Sequence, residues 1–546
     1  MKRRSEGLLD IMTVNDWERD IDQAFEQALS FLRENDGRVY LWDPNDERRV
    51  AENYGESHLC AALLLRARRT GETRLKDVAL RLLDGFMENS PEIKAGQGHA
   101  DFNNFAITLV YEELVAQGEN AYAEKALNWL YHVKDSRNKT VNWLPMRAYF
   151  NLFLYEKTQN EKFLRCAVDA LNAVKNACYD DGLFEDLVPK GRSFNLQYCV
   201  STAAALQMVY RRFDALSDRL PRFDLEKTAS ALYALVLPDG DVNYMGRGCN
   251  QIFAWGPWLY FTANYVENDV RERSRQFLAE RFATARDNCN LMLNSYSGKS
   301  RTLWWDYHHY TVYMAHFLLW RELANDSRFV EPEKIDKLTA PTDSGLEIHK
   351  GEGWFAVTFN GRSHYLIEKG PALVALWTKE FGSVFKCGHA PSGKKFSNLY
   401  FNPLTAYFSC LGPIELSEKP KKMKGRIARF LGSIFNSKEI SLKIKPLFGG
   451  VKFSEKNGLL TIEFRVEPAK TKDARRAFVV PSYVPLDDDS FTLEESANGT
   501  NEFRRCELRR VGALAAQYGD MNVYMTNAND AVVWKLSRRV RQGGKQ

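Results

Sequence analysis

AAALQMVYRRF, residues Ala203–Phe213, decides how the first half of this chain folds. Leu206, Val209 and Phe213 recur at i, i+3 and i+7, the spacing that lines up side chains on one face of a helix. Working outward, FAITLVYEELV (105–115) and MRAYFNLFLYEKTQ (146–159) show the same mixed period. About twelve such segments start near residues 16, 51, 74, 102, 120, 142, 160, 193, 224, 250, 269 and 305. Short polar breaks separate them, among them Asn35-Asp36-Gly37, Thr70-Gly71-Glu72, Asp181-Gly182 and Asp239-Gly240. Gly after Asp suits a tight turn because it accepts positive φ without a steric penalty. Antiparallel helices with short turns have two common solutions, an open α-solenoid or a closed α/α toroid. The chain lacks the solenoid's consensus repeat of roughly 34 or 40 residues, so a toroid is expected over residues 1–325.

The signal changes near residue 326. DSRFVEPEKIDKLTAPTDSG is polar, holds two prolines and reads as a linker over 326–345. Beyond it come GWFAVTFNG, HYLIEKG, GLLTIEFRVEP, RAFVVPSYVP and DAVVWKLSRRV, short and rich in β-branched or aromatic residues. Strands without intervening helices predict an antiparallel β-sandwich over 346–540. The fold class is therefore α+β and multidomain. One stretch of the β-region, 419–445, holds nine Lys/Arg and the single acid Glu439, a local charge of +8. It reads first as a solvated loop insertion. Peripheral contact with a membrane surface or an anionic polymer is the alternative.

Composition excludes several classes. The chain has 546 residues, with 75 Lys+Arg against 70 Asp+Glu, too balanced for a general nucleic-acid binder. Nine scattered cysteines without a CxxC pair argue against a disulfide framework or a ribbon-type zinc site. No cofactor is expected. Cys387 with His389 is only half a zinc site. The basic start MKRRSEGLLDIMTVNDWERD is followed by no apolar stretch of signal-peptide length, and no apolar run is long enough to span a bilayer. A cytoplasmic location is expected, with the sequons at Asn138, Asn325 and Asn498 unused. Nine of the 12 Trp precede residue 326, which fits either a large aromatic core or a surface that stacks on sugars.

Three segments of the helical half carry polar groups where a helix begins. Thr140-Val141-Asn142-Trp143-Leu144-Pro145 puts Asn142 at a helix start, where it could simply be a cap. Asp181-Gly182-Leu183-Phe184-Glu185-Asp186 is followed by a segment in which Asn195 and Tyr198 lie three apart, on one face. The third runs from Asp239 through Tyr244, Arg247 and Gln251, with glycines on both sides of Arg247 where backbone can approach a ligand. It is neither a P-loop nor a dinucleotide fingerprint, since no strand precedes it and no GKS or GKT follows.

Asn142, Tyr198 and Arg247 lie 56 and 49 residues apart, each just after a turn that opens an inner helix. This order resembles the heparinase II/III group and related chondroitin and alginate lyases. In that group an Asn-bearing helix start, a Tyr segment and an Arg segment on a toroid precede a His from a β-domain. The segment Cys387-Gly388-His389-Ala390-Pro391-Ser392-Gly393, followed by SNLYFNP, is similar to the His segment of that group. It departs from the usual pattern in lacking the second His and the Asp after it. The resemblance implies cleavage of a uronate polysaccharide or oligosaccharide by β-elimination, with an anionic sugar as partner. A base removes the C5 proton beside the carboxylate. Asn142 and Arg247 would stabilise the charge that builds up there. Tyr198 would act as acid or base, with His389 as its partner and His99 as a reserve base. Asn195, Tyr244, Gln251, Trp305 and His308 would bind substrate alongside His99. His308 and His309 point different ways on a helix, so they do not suggest a metal pair.

Two other readings compete. A toroid glycoside hydrolase would need two opposed carboxylates, for which Asp181, Glu185, Asp239, Asp241 and Asp306 stand at helix-start turns. A non-catalytic sugar-binding protein of a surface-polysaccharide pathway would draw its support from the basic insertion.

Overall fold

A computed structural model describes residues 14–35, 37–44, 46–188, 190–191, 193–245, 252–266, 269–286, 309–335, 337–361, 372–380, 382–386, 412–419, 441–446, 450–466, 475–481, 491–496, 504–507, 521–526 and 532–539. Its helices, in chain order, are α1 (Val14–Ser30), α2 (Gly55–Thr70), α3 (Thr73–Glu88), the single turn α4 (Pro91–Lys94), α5 (Ala100–Ala116), α6 (Asn120–His132) and α7 (Leu144–Thr158). They continue with α8 (Glu161–Asn176), α9 (Leu196–Arg212), α10 (Leu225–Ala234), α11 (Trp255–Asn264), α12 (Val270–Arg286) and α13 (Tyr310–Leu323).

Six helices close on one another. α2 packs on α5, α5 on α7, α7 on α9, α9 on α11, α11 on α13, and α13 returns to α2. Each inner helix carries an outer neighbour: α3 on α2, α6 on α5, α8 on α7, α10 on α9, α12 on α11 and α1 on α13. This is a closed ring of helical hairpins, an α/α toroid. The sequence shows why each helix takes its layer. All ten residues of α11 and all fourteen of α13 are buried, as a helix apolar on every side must be. In outer α3 burial is confined to one stripe, Leu75, Ala79, Leu82, Leu83, Gly85 and Phe86. The Asp-Gly turns behave as their sequence requires. Gly182 and Gly240 have φ of 86° and 93°, and a Cβ on Gly240 would lie 2.3 Å from the Arg273 carbonyl oxygen.

One end of the ring is sealed by charge. Arg68 bonds Glu113 at 2.9 Å and Asp326 at 2.6 Å, and Arg69 bonds Glu322 at 3.0 Å. Arg212 pairs with Glu112 at 2.8 Å and Glu156 at 2.9 Å, while Tyr149 donates to Glu112. Apart from Tyr149 and from Asp326, which follows α13, these residues sit in the later turns of α2, α5, α7, α9 and α13, so the lattice ties their C-terminal ends together. Removing one partner of such a buried pair strands the other charge, which makes this end a fixed floor.

Strands β1 (Leu32–Asn35), β2 (Arg38–Asp43) and β3 (Arg48–Arg49) form a small antiparallel sheet between α1 and α2. It was not expected, although Val39, Leu41 and Asp43 alternate as buried residues along β2. The stretch 326–345 is strapped to the ring rather than running free. Its two-residue β5 (Glu333–Lys334) pairs with β4 (Tyr265–Val266). Ser230 Oγ donates to the Lys337 carbonyl at 2.7 Å and accepts the Thr339 amide at 2.7 Å. Asp181 Oδ2 accepts the amides of Thr342, Asp343 and Ser344 at 3.1, 2.9 and 2.8 Å.

Three antiparallel sheets follow. β6 (Leu346–Gly351), β7 (Trp354–Phe359), β8 (Ala372–Thr378) and β9 (Gly382–Lys386) pair in sequence order. β10 (Gly412–Lys419), β11 (Ser441–Pro446), β14 (Arg475–Pro481), β16 (Arg504–Glu507) and β17 (Met521–Thr526) form a second sheet in the order β11-β10-β14-β17-β16. β12 (Val451–Lys456), β13 (Leu459–Val466), β15 (Phe491–Ser496) and β18 (Val532–Arg539) form a third, ordered β12-β13-β18-β15. The first sheet touches the ring through Phe194–Phe359, with ring centroids 5.8 Å apart, and through Ser383 Oγ donating to Asp239. It touches the third through Trp354 Nε1, which donates to Glu455 at 2.8 Å. Most of the basic insertion, 420–440, lies outside the described residues.

Candidate functional site

The end of the ring opposite the charged floor carries the N-termini of the inner helices. Tyr54 precedes α2, His99 precedes α5, Trp143 precedes α7, Asn195 precedes α9 and His309 precedes α13. A 3-10 turn, Ile252–Ala254, leads into α11. These positions meet as a wall of rings. His99 stacks on Trp143 at 4.9 Å between centroids, and Tyr54 meets His99 edge-on at 5.2 Å. Tyr54 also stacks on Phe102 at 4.7 Å and tilts against His58 at 4.8 Å and His316 at 5.5 Å. His316 lies flat on Phe253 at 4.5 Å, and Phe253 meets Tyr198 at 6.1 Å and Tyr313 at 5.9 Å. Offset and edge-on ring contacts of this kind hold side chains in fixed orientations.

Asn142 lies in a 3-10 turn, Val141–Trp143, that runs into α7 and packs against α9. The turn is pinned there by the Val141 amide, which donates to the Asp186 carbonyl at 2.9 Å. Its side chain is not a cap. Asn142 is 2% exposed, and its Oδ1 has no hydrogen-bond partner. Asn195 is the cap instead: its Oδ1 accepts the amides of Gln197 at 3.1 Å and Tyr198 at 3.4 Å. That bond fixes the first turn of α9 and with it Tyr198, which is 6% exposed. Gln197 has neither amide atom paired, His58 lacks a partner on Nε2 and His316 lacks one on both nitrogens, all of them 0% exposed. Buried polar atoms are nearly always paired, so this concentration marks a place shaped to meet water or ligand. Burial drives the His58 pKa down to about 3, and burial then His58 hold His316 well below the ordinary histidine value. Both rings are therefore neutral at ordinary pH.

The ring thus brings Asn142, Tyr198 and His99 to one end, with Asn195 beneath them as a cap. Tyr244 goes elsewhere. It is fully buried, its hydroxyl donates to the Leu235 carbonyl at 2.9 Å, and burial raises its pKa, so it packs as a core residue rather than facing a sugar. Arg247, Gln251, Trp305, His308 and His389 lie outside the described residues, as does Asp306.

The other helix-start carboxylates are committed to backbone. Asp181 holds the 342–344 amides and that of Leu183, the last at 3.1 Å. Glu185 accepts the amides of Ser193 and Gly191 at 2.8 and 2.6 Å and the Tyr179 hydroxyl at 2.6 Å. Asp239 and Asp241 accept the amides of Asp241 and Asn243 at 3.2 and 2.7 Å. The ring residues Tyr54, His58, Phe253 and His316 were not anticipated. For Tyr54 and His58 the available signal was an aromatic residue just before, and a His just inside, the helix start GESHLC.

Among the described residues, no group of three or more His, Cys, Asp or Glu could hold a metal ion, and no helix is long and apolar enough to cross a membrane. No protein-family model matches the chain, and no curated protein matches it. Solved structures do. An alpha-1,6-mannanase from a Salegentibacter species is similar at 12% identity and TM-score 0.39, over 56% of this chain and 98% of its own. An unsaturated glucuronyl hydrolase from Streptococcus agalactiae is similar at 13% identity and TM-score 0.38, over 58% and 95%. A polysaccharide lyase is similar at 12% identity and TM-score 0.35, over 57% and 97%. Hydrolases and a lyase thus appear side by side, and they single out no family.

Proposed function

We propose that this chain is a carbohydrate-active enzyme that cleaves a uronate-containing polysaccharide or oligosaccharide by β-elimination, with the helical ring as catalytic unit and the β-sheets as a sandwich beside it. The observation that carries this reading is the aromatic wall at the shared N-terminal end of the inner helices, set with unpaired buried amides. Flat rings suit sugar faces. Amides suit a carboxylate whose charge grows during the reaction. Converging helix N-termini add positive potential, which favours an anionic sugar over a neutral one.

In this reading Asn142 hydrogen-bonds the uronate carboxylate, and Arg247 is a second clamp. Loss of the C5 proton gives a dianion that these groups stabilise. Tyr198 exchanges a proton at the scissile bond, and His389 is its partner. Trp143 and His99 form the half-buried edge on which a sugar ring can lie. The hydrolase alternative loses support because both oxygens of Asp181 and Glu185 accept backbone amides, Asp239 accepts a backbone amide and the Ser383 hydroxyl, and Asp241 Oδ1 accepts a backbone amide.

The test is a panel of uronate polymers and oligomers with enone absorbance as the readout. A rise abolished by Tyr198→Phe, and lowered by Asn142→Ala by about 10²–10³-fold, supports the lyase. New reducing ends without the enone would overturn it in favour of the hydrolase.

A further inference from the structure

Two aspartates of one turn act on the start of α13. Asp43 is the last residue of β2 and Asp46 lies three residues further on, its amide donating to Asp43 Oδ1 at 3.2 Å. Asp43 is 0% exposed, and its Oδ2 accepts the Thr311 amide at 2.8 Å and the Thr311 hydroxyl at 2.9 Å. That alone caps the helix. Asp46 is not needed for capping, and it does something else. Its Oδ2 lies 2.5 Å from Nδ1 of His309, the residue just before α13. The two side chains are 9% and 14% exposed, so the contact is largely shielded from water while the imidazole still reaches the surface.

With Nδ1–H donated to a carboxylate, the imidazole is held in the tautomer that leaves its lone pair on Nε2. This is how an oriented general base is built. The dyad also belongs to the same end of the ring. His309 meets Tyr313 at 6.3 Å, and Tyr313 meets Phe253, which faces Tyr198. On its other side, His309 acts electrostatically on Glu52, whose carboxyl is held low chiefly by the hydrogen bond from Arg48. The main-chain oxygen of Glu52 accepts the His99 amide at 3.1 Å. His309 is thus bracketed by both the Tyr198 side and the His99 side of the wall.

We propose that His309, positioned by Asp46, is the base that removes the C5 proton, in place of His99 and with Tyr198 left as the acid. The inference rests on the lyase reading. Nε2 takes the C5 proton, and the C5–H electron pair becomes the C4–C5 double bond. The C4–O bond breaks, its electrons leave with the glycosidic oxygen, and that oxygen takes a proton from Tyr198. Solvent then carries the proton from the imidazolium back to the Tyr198 phenolate.

The test has two arms. The first needs no substrate: treat the full chain with diethyl pyrocarbonate and map the modified histidines by mass spectrometry. His309 is expected to react, and to react several-fold more slowly in Asp46→Asn, whose amide cannot hold the ring in that tautomer. A His309 that stays unmodified while exposed His132 reacts overturns the dyad. The second arm uses whichever uronate gives the enone. His309→Ala should lower kcat by about 10²–10⁴-fold, with part of the rate restored by added imidazole. Asp46→Asn should lower kcat with KM unchanged, and Asp46→Glu should recover part of the loss. A His309→Ala enzyme with wild-type kcat, or a loss that imidazole does not rescue, overturns the role. If the wild type yields no enone on any uronate, the lyase reading fails and with it the C5 assignment, while the first arm still decides whether the dyad presents a reactive imidazole.

Discussion

Lowering the pH from about 7.5 to about 5.5 should destabilise the ring through His58 and His316, by on the order of 1 kcal/mol for each. Both side chains are 0% exposed, and their rings lie 5.2 Å apart. Burial dominates for each: His58 is pushed down to about 3, and His316 well below its ordinary value. In the unfolded chain each returns to about 6.5. The unfolded state therefore binds two more protons than the folded one over the interval between those values. A depressed folded pKa gives stability that is complete above the unfolded pKa and is lost as pH falls below it. Each His therefore costs the fold on the order of 1 kcal/mol at about pH 5.5 and almost nothing at about pH 7.5. Carboxylates also titrate toward the acid side, so the measurement must be a difference between variants. His316→Phe is the suitable one. Neither ring nitrogen has a partner to lose, and a phenyl ring can keep the flat contact with Phe253. Urea unfolding followed by far-UV circular dichroism should show that this variant is no less stable than wild type at about pH 7.5. It should lose about 1 kcal/mol less on acidification. Equal pH dependence in the two proteins would refute the claim that His316 is buried neutral.

Three further outcomes follow from the geometry. Asp181→Ala strands the amides of Thr342, Asp343 and Ser344, so the 326–345 strap should become protease-sensitive and stability should fall by about 2–3 kcal/mol; activity loss with an intact strap would restore Asp181 as a catalytic candidate. Asn195→Ala should cost about 1 kcal/mol by uncapping α9, read as a lower urea midpoint, and Asn195→Asp should retain most of it. Gly240→Ala combines a φ of 93° with a Cβ 2.3 Å from the Arg273 oxygen, so it should destabilise by more than about 2 kcal/mol, whereas Gly37→Ala, with open space around it, should cost less.

How much of this was legible in the sequence depends on the range of the interaction. Helix starts were read near 74, 120, 160, 224 and 269, and the structure begins helices at Thr73, Asn120, Glu161, Leu225 and Val270. All five lie in the outer layer, where one face is wet and the period stands out. The inner helices were placed less closely, at 51 against Gly55, 250 against Trp255 and 305 against Tyr310. They are apolar all round, so their ends are fixed by what they pack against and not by a pattern. The site divides the same way. Asn142, Tyr198 and His99 could be found because each stands beside a turn signal. The roles of Asn142 and Asn195 could not be told apart, since either amide satisfies the preference for a cap. Only the fold shows that Asn195 binds the α9 amides while Asn142 is left with an unpaired oxygen.

The same distinction bears on the chemistry. A carboxylate after a turn satisfies the sequence pattern of a catalytic acid and of a loop anchor equally. What separates the two is whether its oxygens already have donors. Asp181 and Glu185 together accept from seven backbone amides. Protonating or displacing either would release several buried N–H groups at once, a cost a general acid cycling every turnover would have to meet each time. Asp46 has a different character, because its neighbour Asp43 already caps α13 while Asp46 faces the His309 imidazole. The ring therefore puts anchoring acids at the strap and a carboxylate-oriented histidine at the aromatic wall. That division of labour favours proton transfer by imidazole and phenol over the paired carboxylates a hydrolase needs.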